Sequence, residues 1–368
     1  MTTRAVAHHH DPEGRSHKPF GPEHPSRRLF HDEAFLSKVD ALISEVGGDT
    51  DSYEGKLIRD LLTTSLKLIG DGRDTGELKL LAFSLKEMRH AYRVFAQYPD
   101  ARKISIFGSA RTQPEHSDYK TAVDFSGIMA KRGWEAITGA GDGIMKAGHE
   151  GPGREASFGL AISLPFETSA NTIIEGDSKL INFKYFFTRK LMFVSQADAV
   201  AVFPGGFGTA DEAFEVLTLI QTGKAAMMPI VLIEGEGNGY WEVWERYVKD
   251  ACLKGGFISP EDLNLFHIAH TAKEAADFVD RFYRNYHSSR YIKDDLIIRI
   301  NHKLREQDVK ELSKEFAVLI KSGEIVQQGA RPEEKVHLDL PRLVFTHTRY
   351  KFGLVRKLIE RINDCEPA

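Results

Sequence analysis

Six short apolar runs constrain this chain more than any other feature. They are KISIFGSA, WEAITGAG, FGLAISLP, DAVAVFPGG, PIVLIEG and NLFHIAH, spread between Lys103 and His270, and most end in glycine or proline. Between them lie helical patterns such as YKTAVDFSGIMAKRG, ADEAFEVLTLIQTGK and YWEVWERYVKDACLKGG. A run apolar at every position cannot leave one face in water, so it reads as a strand covered on both sides by the intervening helices. The expectation is an α/β fold, a Rossmann-like doubly wound parallel sheet. In such sheets ligands bind beyond the carboxyl ends of the strands, which is where this chain concentrates its glycines.

Four parts are expected along the chain: a flexible leader over 1–27, a helical N-terminal region over 28–100, a Rossmann-like nucleotide-binding catalytic domain over 101–287, and a small C-terminal α/β domain over 288–368. In the helical region Phe35, Val39, Leu42 and Ile43 share one face, as do Leu57, Leu61, Leu62 and Leu66. Such helices suit a cap or an interface. The last part reads strand (DDLIIRI), helix (EQDVKELSKEFAVLI), strand (EIVQQG), strand (PRLVFTH) and helix (FGLVRKLIERI), with a regulatory or oligomerisation role expected.

Charge and cysteine content narrow the function classes. The net charge of −4 gives no reason to expect nucleic-acid binding, and the excess of bases near the C-terminus reads as a solvated face. No stretch reaches the roughly 18 consecutive apolar residues of a membrane span, and the N-terminus has no apolar signal region. Two distant cysteines, Cys252 and Cys365, suit a reducing, cytoplasmic setting. No cluster of His, Asp or Glu has metal-ligand spacing, and no cofactor is expected.

Three strand-to-helix loops carry the candidate chemistry. The first holds Gly108 and Ser109, whose backbone N–H groups and hydroxyl could meet an anion; it also fits an ordinary tight turn. The second, Gly139-Ala140-Gly141-Asp142-Gly143-Ile144-Met145, lets backbone approach a ligand closely but only loosely matches a dinucleotide fingerprint. The third is the most specific, Pro204-Gly205-Gly206-Phe207-Gly208-Thr209-Ala210-Asp211-Glu212, with room for a phosphate against a helix N-terminus. Thr209 and Glu212 also have the spacing of a capping box, which would make the glutamate structural. In the first helical turn its charged form would be favoured by the helix dipole. Arg189 and Lys190 read either as a solvated cationic pair at a helix start or as cations awaiting an anionic partner.

The GSAR turn, the GAGDGIM loop, LPFE (Leu164 to Glu167), TRKLMF and above all PGGFGTADE resemble the LOG (Lonely Guy) family over roughly residues 100–285. That family comprises cytokinin riboside 5′-monophosphate phosphoribohydrolases and related nucleotide 5′-monophosphate nucleosidases, many once labelled lysine decarboxylases. The resemblance implies Arg189 and Glu212 as the catalytic pair. It implies Gly205, Gly206, Gly208 and Thr209 as the phosphate loop, and a nucleoside 5′-monophosphate as substrate. Gly108, Ser109, Gly139, Gly141, Asp142, Met145, Lys190 and Phe207 complete the expected binding set. A homodimer or higher homo-oligomer is expected, and no nucleic-acid or membrane partner. Base selectivity is expected from loop side chains, with Phe166, Glu167 and Phe207 as candidates. The helical N-terminal region and the added C-terminal part resemble longer bacterial relatives acting on ordinary nucleotides. A cytokinin-specific hydrolase, a non-catalytic nucleotide or pterin-type binding protein, and a pyridoxal-phosphate decarboxylase are the competing classes. The last needs a Schiff-base lysine, for which no constellation is visible.

Overall fold

A computed structural model of the protein describes residues 32–163 and 170–368. The expected leader over 1–27 and the segment Leu164–Glu167, with Phe166, lie outside the described residues. The chain divides into two compact units, one ending at Lys86 and the other running Glu87–Ala368.

In the first unit and just beyond it lie three helices, α1 (Glu33–Glu45), α2 (Tyr53–Gly70) and α3 (Thr75–Phe95). Asp32 caps α1 and Ser52 caps α2, each side chain accepting from a backbone N–H of the first turn. The expected apolar faces divide here. Val39 and Ile43 are buried, whereas Leu42 and all four of Leu57, Leu61, Leu62 and Leu66 are exposed. Periodicity reveals that a helix has an apolar face but not which way the face turns.

All six apolar runs form strands: β1 (Lys103–Phe107), β2 (Glu135–Thr138), β3 (Ser157–Ile162), β5 (Ala199–Val202), β6 (Ile230–Ile233) and β7 (Phe266–Ala269). A seventh, β4 (Leu180–Phe183), was not expected, because a four-residue strand that buries only Ile181 and Phe183 carries too little pattern. The sheet is parallel with the order β4-β3-β2-β1-β5-β6-β7. Its two faces fill separate cores. Along β5, Ala199 and Ala201 enter one cluster with Ile104, Phe125 and Val279, and Val200 and Val202 enter the other with Phe193 and Val216. This is the period-2 alternation of a strand covered on both sides.

The covering helices are α4 (Ser117–Lys131), α5 (Ile144–Glu150), α6 (Phe186–Ser195), α7 (Phe207–Gln221), α8 (Tyr240–Tyr247) and α9 (Ala272–Phe282). A π-helical turn, Val248–Leu253, follows α8.

The C-terminal part forms an antiparallel sheet, β10-β11-β9-β8, from β8 (Tyr286–Ile292), β9 (Asp295–Ile300), β10 (Ile320–Gln328) and β11 (Arg342–His347), with α10 (Glu306–Glu315) and α11 (Phe352–Asp364). Strand β8, YHSSRYI, was not expected because its pattern is mostly polar. The helix expected to run through Ile320 stops at Glu315. A 3-10 turn, Ala317–Leu319, buries Leu319, and Ile320 opens β10. Ile298, Leu343 and Leu358 share one continuous core with Val200 and Ile230 of the parallel sheet.

Candidate active site

The strand order reverses between β1 and β5, and a cavity of about 900 Å³ opens there at the carboxyl ends of the strands. The loops after β1, β2 and β5 and the helices α6 and α7 form its wall. Of the expected residues, Gly108, Ser109, Gly139, Met145, Arg189, Gly205, Gly206, Phe207, Gly208, Thr209 and Glu212 line it. Gly141, Asp142 and Lys190 do not.

Close packing explains two of the glycines. A Cβ on Gly139 would fall 2.3 Å from Arg189 Nη2 and 2.5 Å from Met145 Sδ, so a side chain there would displace the arginine. A Cβ on Gly205 would fall 2.2 Å from Thr209 Oγ1. Around Gly206 and Gly208, by contrast, nothing lies within 4 Å of the added atom, so the start of α7 faces open space.

Helix α7 overturns the capping-box reading. It begins at Phe207 with Gly206 as its N-cap, and no side chain caps it. Thr209 is therefore already helical and Glu212 stands in the second turn, too far on to reach the cap's N–H. Glu212 thus has no capping role.

The expected ionisation of Glu212 is also weakened. Its side chain is only 15% exposed, and Oε2 is buried without a hydrogen-bond partner. Burial pushes its pKa up, against the pull of Lys190 and Arg189 and with help from Asp211 and Glu215, to about 7. Desolvation in the second turn outweighs a dipole that acts mainly within the first.

The cations sit on α6, which starts at Phe186 rather than at the TRK stretch. Glu87 fixes this start: its carboxylate accepts from the Lys184 N–H and the Thr188 hydroxyl, each at 2.8 Å. Arg189 then donates from Nε to the Leu160 carbonyl at 2.7 Å and from Nη2 to the Gly139 carbonyl at 3.3 Å. Lys190 has the anionic partner its position called for, supplied by α7. Its Nζ lies 2.5 Å from Asp211, 2.8 Å from Glu215 and 4.0 Å from Glu212.

Gly141 belongs to a turn secured by Asn171, whose side-chain amide donates to the Gly141 carbonyl at 3.0 Å and whose backbone N–H donates to the Ala140 carbonyl at 2.7 Å. Asn171 also meets the buried ring of His149. Burial keeps that imidazole below its ordinary pKa.

Arg111, Phe186 and Tyr240 also line the cavity. The Tyr240 hydroxyl donates to the Gly205 carbonyl at 2.8 Å. Its backbone N–H is held by Glu234 at 2.7 Å. Nothing in the sequence spacing points to Tyr240, since it comes from the loop after β6. Among the described residues no group of three or more His, Cys, Asp or Glu could hold a metal ion. No described helix is long and apolar enough to cross a membrane.

Comparison with known proteins places this geometry in context. Residues 139–279 match a family profile described as "Possible lysine decarboxylase". A cytokinin riboside 5′-monophosphate phosphoribohydrolase of Arabidopsis thaliana is 26% identical over 186 residues, 49% of this chain and 83% of the relative. One from Oryza sativa subsp. japonica is 27% identical over 179 residues, 47% of this chain and 70% of the relative. Among solved structures, the molybdenum cofactor carrier protein of Chlamydomonas reinhardtii is 18% identical with a TM-score of 0.36, covering 49% of this chain and 97% of that one.

Proposed function

Because the chain belongs to the LOG family, we propose that it hydrolyses the N-glycosidic bond of nucleoside 5′-monophosphates, releasing free base and ribose 5-phosphate. The observation that carries this reading is Glu212. A buried carboxylate with one oxygen lacking a hydrogen bond, balanced near neutrality, sits in a cavity that begins at a helix N-terminus no side chain caps.

The first N–H groups of α7 have no intrahelical partner, and with the Ser109 hydroxyl they form a seat for the 5′-phosphate. Glu212 lies about 8 Å further along the helix axis, a span that a ribose bridges. Cleavage breaks the bond between C1′ and the base nitrogen. The oxygen of water joins C1′, and a water proton ends on the departing base. Ionised Glu212 opposes the positive charge that grows on the ribosyl ring. Lys190 and, to a lesser degree, Arg189, held by the carbonyls of Leu160 and Gly139, supply the charge that keeps part of the Glu212 population ionised. Lys190 fixes α6 against the acidic side of α7 rather than binding phosphate itself.

No lysine is among the described residues lining the cavity, so the decarboxylase label has no Schiff-base candidate there. The apolar wall of Met145, Phe186 and Phe207 suits a planar base.

The deciding experiment incubates the protein with AMP, GMP, CMP, UMP, IMP and N6-isopentenyl-AMP, following free base and ribose 5-phosphate by chromatography. Release from ordinary nucleotides supports the proposal. Strong preference for the isopentenyl compound replaces it with a cytokinin-activating enzyme. Tight binding without release from any of them replaces it with a binding protein.

A further inference from the structure

We propose that the cleft continues past the phosphate seat into a second, polar pocket that holds a further phosphoryl group. Nucleoside 5′-diphosphates are then bound and cleaved, and Arg111 is the residue that distinguishes them from monophosphates. The inference deepens the reading above and rests on its placement of the 5′-phosphate.

A cavity of about 370 Å³ lies beside the one that contains Glu212. Ser109, Arg111 and Gly205 line both, so the turn after β1 and the loop after β5 form a shared ridge. The two sides of this ridge differ in chemistry. Towards Glu212 the wall carries Met145, Phe186 and Phe207. The second pocket has no large apolar side chain among the described residues lining it, and offers Arg111, Gln113, His116 and Asn238 instead. A planar base gains little from such a wall, whereas an anion gains donors.

The groups already satisfied in this pocket, and those left over, fix the sign of its ligand. The carboxylate of Asp118 is buried, and its oxygens accept from the Gly235 N–H at 2.6 Å and the Asn238 amide at 2.7 Å. His116, the N-cap of α4, accepts on Nδ1 from the Asp118 N–H at 3.2 Å, which leaves the imidazole proton on Nε2 as a donor. The Ser109 hydroxyl accepts from the Arg111 N–H at 3.1 Å, so its own proton remains to donate. Arg111 is exposed, and the described residues give its guanidinium no hydrogen bond or ion pair. A planar fork that matches phosphate oxygens therefore stands unpaired at the junction of two cavities, one of which holds the proposed phosphate seat. A monophosphate ends at that seat and leaves the fork unused. A second phosphoryl group crosses the ridge at Ser109 and meets it. Cleavage is unchanged in its bonds: the water oxygen joins C1′, a water proton ends on the departing base, and the sugar product is ribose 5-diphosphate.

The test measures binding of AMP and ADP by calorimetry to the full chain carrying Glu212→Gln, in buffer free of divalent cations. Base release from both nucleotides is followed with the wild-type chain. ADP should bind about tenfold tighter than AMP, as expected for charge-assisted hydrogen bonds to a phosphoryl group. Arg111→Ala should cost ADP about tenfold and AMP no more than about twofold. Arg111→Lys should recover part of the loss, because the charge remains without the fork. ADP binding no tighter than AMP, or equal losses for both nucleotides in Arg111→Ala, would overturn the proposal. So would orthophosphate tightening AMP binding as much as the second phosphoryl group does, since the pocket would then take a separate anion. Base release from AMP alone overturns the proposal and leaves the hydrolase reading standing, whereas release from neither nucleotide overturns both.

Discussion

Two buried glutamates in this molecule have opposite fates. Glu334, beneath the C-terminal sheet, has a fully buried side chain. Burial pushes its pKa up, but Arg342, the Arg331 backbone N–H and Arg299 outweigh it and hold the carboxyl down to about 2. Arg342 Nε lies 3.0 Å and Arg299 Nη2 2.7 Å from its oxygens. Glu212, slightly less buried, has Lys190 only at 4.0 Å and Arg189 bonded to carbonyls, and its pKa rises to about 7. Burial pushes both carboxyls up, so burial alone does not set the charge state. What decides it is whether hydrogen-bonded cations complete the shell, as they do around Glu334. The cleft leaves Glu212 incomplete, at a cost in stability that a purely structural glutamate would have no reason to carry.

This contrast can be broken most sharply at Glu334. Glu334→Ala leaves two buried arginines without their anion and should cost about 3–5 kcal/mol in urea unfolding, with the cleft chemistry unaffected in whatever fraction stays folded. A loss under about 1 kcal/mol would mean the cluster is solvated. The next largest effect is catalytic: Glu212→Gln should lower kcat by roughly 10²–10³ with nucleotide binding largely kept. Turnover close to wild type would remove Glu212 from the chemistry.

The pH dependences sharpen the comparison further. If the ionised form is the working one, kcat/KM should rise with pH through an apparent pKa near 7, and that limb should vanish in Glu212→Gln. A limb falling through the same pKa would make Glu212 a proton donor instead. Stability should move in opposite senses at the two sites. Glu212, raised in the folded state, contributes stability below about 4.5 that is lost as pH rises through about 7. Glu334, depressed, contributes stability that is lost only as pH falls from about 4.5 toward 2. The smallest effect follows from the first of these. At pH 8 Glu212→Gln should raise stability by up to about 3 kcal/mol, read as a higher Tm, while at pH 4 it should change little.

Much of this was legible in the residues. Six of the seven parallel strands announced themselves because burial on both faces leaves few polar positions to blur them. Strand β4 was too short, and β8, with polar HSSR at its centre, looked like loop. The glycine loops pointed to one ligand site, and eleven of the fourteen expected residues line one cavity. Gly141, Asp142 and Lys190 lie off its wall, held in a turn or among acids of α7. Tyr240 was missed because a lining residue contributed from another loop has no motif of its own, and Arg111, although it closes the GSAR turn, was not singled out.

The sequence by itself determined the fold class and which loops gather around one cavity. Both follow from local facts, the unbroken apolar runs and the glycines at their ends. Only the tertiary structure decided what Glu212 is. Its spacing from Thr209 fitted a cap, and the helix rule favoured a charged carboxylate. The real start of α7 removed the first reading, and the desolvation of its second turn weakened the second. The outward turn of the α2 leucines was likewise undetermined by their period. Charge state and facing depend on which groups are brought together from distant parts of the chain, and pattern along one segment holds no information about its neighbours in space.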